Sequence, residues 1–191
     1  MSRNLRVALL LGLGLVLGGC GSTPESVTRW HSLRSTTPQA APVATPAAAW
    51  SLAPVQVASH LDRPQMVLRR TDGAWMVLEH ERWLSPLVDE VHAALSARLT
   101  QRMGPSRSDG TRIAMSLQRL DASVAGDTLL VAEWSLDAAG RRLVCRSQAH
   151  AIATASVAAI VAAQRELLAG LAEQWTRTLI AVTAGTVACP Q

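Results

Sequence analysis

The chain has 191 residues, 49% of them hydrophobic and 17% charged, which suits one globular domain with attachments. Its 18 basic side chains, all arginine, face 14 acids, and the net charge of +4 is scattered along the chain. With no basic stripe and no interleaved aromatic pattern, the composition gives nucleic-acid binding no support.

Ser2 to Arg6 carries two arginines, Val7 to Leu17 is an unbroken run of Val, Ala, Leu and Gly, and the run stops at Leu17-Gly18-Gly19-Cys20. A positive start, a short apolar stretch and small residues at the cut describe a secretory signal. The stretch is well short of the ~20 apolar residues that a transmembrane helix needs. Cysteine directly after the small pair resembles a bacterial lipobox. The blander reading is an ordinary cleavage site beside a cysteine. On the lipobox reading, residues 1–19 are removed and Cys20 carries a diacylglycerol and an amide-linked acyl chain. Two or more chains anchor stably where one is marginal, each buried methylene contributing about 0.8 kcal/mol. Gly21 replaces the aspartate that would resemble an inner-membrane retention signal, so the outer membrane, on its periplasmic face, is expected. Residues 20–49 then form a lipid-anchored tether containing a short strand and a Pro/Ala-rich loop, residues 50–184 the domain proper, and residues 185–191 a tail.

Val27 to Arg34 reads as a first short strand, and Ser35 to Ala49, rich in Pro, Ala and Thr without a period, as a connector. Trp50 to Ala58 alternates weakly and predicts a strand, with Pro54 placing it at an edge or a strand start. Gln65–Arg70 and Trp75–Leu78 flank Asp72-Gly73, a strong hairpin signal. The period then changes: Leu84, Leu87, Val88, Val91, Ala94, Leu95 and Leu99 predict one face of a helix. Ser85 suits its cap, Pro86 its first position and Gly104-Pro105 its end. His92 is placed with Asp89, Glu90 and Ser96 on the solvated side.

Ile113, Met115 and Leu117 begin an alternating strand, and Leu130, Ala132, Trp134 and Leu136 mark a second after a turn at Gly126-Asp127. A third, after Asp137 to Gly140, puts Leu143, Cys145 and Ala149 on one side and Arg142, Val144, Arg146 and Gln148 on the other. These three read as an antiparallel meander with one covered face. A long amphipathic helix from Val157 to Val182 completes the chain, with Trp134 and Trp175 as core candidates. The expected fold is α+β: a mainly antiparallel sheet, hairpin plus three-strand meander, with two amphipathic helices packed on one face.

Chemistry is sparse. Glu79, His80 and Glu81 invite a metal site, but strand geometry puts His80 on the opposite side from the two acids, and no H-E-x-x-H or C-x-x-C spacing occurs. No G-x-S-x-G elbow or phosphate-binding glycine loop is present. No metal, cofactor or catalytic group is expected, and the protein reads as a non-enzyme. An oxidising periplasm permits a disulfide between Cys145 and Cys189; a buried thiol at Cys145 and a stray one in the tail is the alternative.

Three stretches carry a family resemblance: APVQVASHLDRPQMVLR, RWLSPL and LVAEWSLDAAGR. With the lipobox and the Trp30-His31-Ser32-Leu33 strand before a loose loop, they resemble the PqiC-type membrane-integrity lipoproteins, also called ABC-type transport auxiliary lipoproteins. The most specific residues are Leu61, Asp62, Arg63, Pro64 and Gln65, then Arg82, Trp83, Pro86 and Leu87, which the resemblance makes structural positions. Departures are His60 where tyrosine is usual, Ala58-Ser59, and the tail after Val182 with Cys189. The resemblance implies a non-catalytic outer-membrane subunit of an intermembrane lipid transport system, supporting envelope integrity. Its implied partners are an MCE-domain periplasmic protein and further copies of itself in a ring that receives the periplasmic tunnel. The competing expectation is an envelope lipoprotein that scaffolds or regulates a cell-wall or outer-membrane assembly machine.

Overall fold

The computed structural model describes residues 27–34, 48–138, 140–186 and 188–190. Eight strands form one sheet: β1 (Arg29–His31), β2 (Trp50–Leu52), β3 (Gln56–Val57), β4 (Gln65–Arg69), β5 (Trp75–Trp83), β6 (Thr111–Ser123), β7 (Asp127–Ala138) and β8 (Arg141–Ile152). Helix α1 (Leu87–Met103) lies between β5 and β6, and α2 (Val157–Thr183) follows β8. The spatial order is β1-β5-β4-β6-β7-β8, with β2 and β3 also pairing along β6.

The expectation of a mainly antiparallel sheet is wrong. The hairpin β4/β5 and the meander β6/β7/β8 are antiparallel, but β1 runs parallel to β5, and β2, β3 and β4 all run parallel to β6. The sheet is mixed. Parallel neighbours need long crossovers rather than tight turns. Here helix α1 carries the chain from the β4/β5 hairpin over to β6, so that β6 lands beside β4. Alternation along a strand reports which face is buried and says nothing about the direction of its neighbour.

Local chemistry explains the elements. Gly73 takes a left-handed φ of 86° at the β4/β5 turn, while Asp72 Oδ1 accepts from the Ala74 N–H at 3.0 Å. Gly126, at φ 98°, turns β6 into β7, and a Cβ there would meet the Ala153 carbonyl oxygen at 2.1 Å. Pro54 interrupts the predicted 50–58 strand, leaving β2 and β3 as separate short pieces. Beyond Leu117, which pairs with Ala132, β6 resumes at Arg119 opposite Val131. Gln118 is the extra residue, and the buried positions switch from Ile113, Met115 and Leu117 to Leu120 and Ala122. A one-residue offset turns the other set of side chains inward.

One main core joins the sheet to both helices: Ile113, Leu117, Leu130 and Leu136 meet Val91, Leu95 and Leu99 of α1 and Leu168, Leu171 and Leu179 of α2. Trp134 and Trp175 are buried in it with ring centroids 6.0 Å apart. Trp134 Nε1 donates to Ser147 Oγ at 2.8 Å, and Trp50 Nε1 donates to the Gly104 carbonyl at 3.0 Å. Ser156 caps α2 by accepting from the Ala159 N–H. Ser85 does not cap α1: Pro86 occupies the cap position without a side-chain bond, and the Ser85 hydroxyl turns to Glu90 instead. Cys145 on β8 and Cys189 in the tail are bonded, with Cα atoms 5.5 Å apart. No described helix is long and apolar enough to cross a membrane.

Candidate functional site

The most specific sequence residues gather at one corner, where β4, β5 and α1 meet β1. Leu61 and Leu87 are buried in the main core. Gln65 opens β4 opposite Arg82, and the buried Trp83 donates its N–H to the Pro64 carbonyl at 2.8 Å. Asp62, Arg63, Pro64, Trp83 and Pro86 line a shallow, mostly apolar hollow of about 400 Å³, which Trp30 and Leu84 complete.

Between Gln65↔Arg82 and Met66↔Leu78, three residues of β5, Glu79, His80 and Glu81, have no partner on β4. This bulge frees Glu81 to face the other way, toward β1. Glu79 and His80 stay exposed, whereas Glu81 is buried. Arg29 Nε donates to Glu81 Oε1 at 2.7 Å, and His31 Nε2 lies 2.6 Å from Oε2. The three side chains that looked like a metal triplet therefore diverge. Among the described residues, no three His, Cys, Asp or Glu side chains converge as a metal would require.

A second carboxylate holds the residues that follow. Glu90, in the first turn of α1, is fully buried. Its Oε2 accepts from Ser32 Oγ at 2.6 Å and from the Leu33 N–H at 2.8 Å, and its Oε1 accepts from Ser85 Oγ. Arg165 of α2 closes the arrangement, Nε donating to the Ser32 carbonyl at 3.0 Å. The Leu84 N–H donates to the His31 carbonyl at 2.8 Å. Residues 29–34 are thus clamped from β5, from α1 and from α2.

The electrostatics match a clamp. The Arg29 hydrogen bond holds the Glu81 carboxyl below its ordinary range; burial opposes, and His31 adds to the lowering. At Glu90 burial pushes upward, but the bonds from Ser32, Ser85 and the Leu33 N–H, with the nearby Arg34 charge, outweigh it and leave a net lowering. Every oxygen of both carboxylates already accepts from β1, its following residues or Ser85. Neither is placed to take a proton from a substrate; both are positioned to hold a strand.

Sequence reasoning missed Glu90, placing it on the solvated side of α1, and did not single out Glu81 as buried. The available signal was the pair Arg29 and His31, two residues apart and so on one face of a strand, which asks for an acid opposite. Cys20 lies outside the described residues.

A second hollow, of about 500 Å³ and more polar, opens on the sheet between β3, β6, β7 and β8 and is lined by Gln56, Arg112, Glu133 and Arg142 among others. An apolar one of about 410 Å³ lies where Leu143 of β8 approaches Val182 and Gly185 at the end of α2.

The sequence matches the model of the ABC-type transport auxiliary lipoprotein component family over residues 31–175, from β1 to Trp175 of α2. The chain belongs to that family. By family it is therefore an auxiliary component of a transport system and a lipoprotein of the cell envelope. Among solved structures it is similar to an uncharacterized protein at 15% identity and a TM-score of 0.66, covering 79% of this chain and 97% of the other. It is also similar to protein XCC0632 of Xanthomonas campestris, from the DUF330 family, at 19% identity and a TM-score of 0.65, covering 82% and 98%. At such identities these likenesses establish a shared fold. No curated protein matches.

Proposed function

We propose that the protein is the outer-membrane, non-catalytic subunit of an MCE/ABC-type intermembrane lipid transport system, anchored through acylated Cys20 and docking the end of a periplasmic tunnel. In that role it supports envelope integrity. The observation that carries the reading is the family match from β1 to α2, joined to the lipobox-like Leu17-Gly18-Gly19-Cys20 ahead of it. The clamp fits this role. The strand that emerges from the tether is held on three sides, so a load on the anchor reaches the core rather than peeling β1 away.

The sheet also suits assembly into a ring of identical copies. Among the described strands β8 pairs only with β7 and β1 only with β5, so the six-strand path that forms the body of the sheet ends in two unlike edges. Unpaired strand edges invite another chain, and unlike surfaces joined head to tail close into rings when the rotation permits. The test is crosslinking of the lipidated protein in its own membrane, followed by identification of partners. The reading predicts an MCE-domain protein and a ladder of self-crosslinked species. Crosslinks confined to a cell-wall enzyme or an assembly machine would overturn it.

A further inference from the structure

Three large apolar side chains stand exposed at the corner where the tether enters the domain: Val27 at 73%, Trp30 at 56% and Leu84 at 62% of their full surface. Pro64 and Pro86 are exposed beside them, and Trp30 and Leu84 share the hollow they border. Elsewhere exposed large apolar side chains are dispersed, such as Val144 and Ile152 on β8 or Ile180 on α2. Single exposed apolar residues are ordinary; a contiguous patch marks a contact surface.

We propose that this patch is a membrane-contact surface, with Trp30 and Leu84 seated at the headgroup level of the bilayer that holds the anchor. The proposal rests on the acylation of Cys20. Val27 follows Cys20 by 27 − 20 = 7 positions, so it lies at most about 25 Å from the acylated residue, even with the chain fully extended. Trp30, three positions further, stays within roughly 36 Å. No other described part of the domain is nearer to the anchor along the chain. The clamp fixes β1 against β5 and α1, so the patch cannot swing independently of the domain. Seating it would orient the whole sheet on the membrane.

The chemistry fits a lipid interface. Tryptophan favours the membrane–water boundary, where its ring is half apolar and its N–H can stay wet. Arg63 lines the hollow and is exposed; Arg29, which Glu81 engages, and Arg34 flank the patch in sequence and are exposed. Exposed arginines favour the anionic headgroups of phosphatidylglycerol. A covalent anchor and a second weak contact together hold a defined orientation that the anchor alone cannot impose.

The experiment uses the full lipidated protein in vesicles of phosphatidylethanolamine and phosphatidylglycerol with brominated acyl chains, which quench tryptophan on contact. Quenching should appear in the wild type and fall by about half or more in Trp30→Phe, since Trp30 is the anchor-proximal tryptophan. Equal quenching in both proteins would overturn the proposal. So would a Trp30 that stays unquenched and becomes buried only when copies associate, which would give the patch to a second copy. Failure of the anchor itself is read separately, from the mass at Cys20. If Cys20 proves unmodified, the full chain carrying Cys20→Ser is added to the same vesicles. The patch then predicts salt-sensitive sedimentation that Leu84→Ser weakens roughly fivefold, and undiminished binding would overturn it.

Discussion

At one end of the sheet, β6, β7 and β8 are 12 to 13 residues long and pair antiparallel along nearly their full length. They bury a row of Leu, Ile, Trp and Ala against α2, and a disulfide ties β8 to the tail. At the other end β1 is three residues long and lies parallel to its neighbour, and it and the residues that follow are held by two buried carboxylates and an arginine. The first end rests on apolar area and local pairing. The second rests on charge-assisted hydrogen bonds between segments far apart in sequence. Such bonds are strong only while their groups keep the right protonation state and partners. The N-terminal end of the described chain is therefore the part whose hold depends on pH.

Breaking the apolar end should cost most. Trp175→Ala removes a fully buried ring beside Trp134 and should destabilise the protein by about 3–5 kcal/mol, read as a lower urea midpoint with an unchanged slope. Cys189→Ser opens a closure spanning 44 residues and should cost about 2–4 kcal/mol; a reductant should lower the wild type to the same midpoint. Free thiols at both positions by non-reducing mass spectrometry would contradict that bond.

At the polar end the effects are smaller and local. Glu90→Ala strips the acceptor from the Leu33 N–H and the Ser32 hydroxyl and should cost about 1–3 kcal/mol. Amide exchange at residues 29–34 should rise while β6–β8 stay protected. Acid should do the same without mutation. Both carboxyls have folded-state values below their ordinary 4.5, so the unfolded chain binds more protons in that range. Their contribution is complete above about pH 4.5 and is lost as the pH falls through the lowered values. Glu81→Gln with Glu90→Gln should flatten that dependence. Glu79→Gln and His80→Ala, exposed on the bulge, should change stability by less than about 0.5 kcal/mol.

The same division governs what could be read from the sequence. The meander and α2 were legible because long strands with alternation and a long 3.6-period stripe leave strong signals; Leu130, Ala132, Trp134, Leu136, Cys145 and Trp175 are buried as periodicity predicts, although Val131 and Ser135 on the alternate positions are buried as well. The Asp72-Gly73 hairpin was legible for its turn chemistry. The parallel pairings were not, because strands of two to five residues carry little periodicity and their partners are set by tertiary crossovers. Glu90 was misplaced for a related reason. A carboxylate in the first turn of a helix is ordinary on a solvated face, and only the arrival of Ser32 and Leu33 from far upstream makes its burial tolerable. The bulge at Glu79–Glu81 likewise reverses the side that strict alternation assigns to Glu81.

The anchored-accessory reading is tested most directly by fractionating cells that produce the wild type and Cys20→Ala, with mass analysis of the mature N-terminus. The prediction is a wild-type chain that begins at an acylated Cys20 and fractionates with the outer membrane, and a variant that is unacylated and leaves that fraction. A wild-type chain lacking acylation, or a Cys20→Ala variant that fractionates normally, would contradict it.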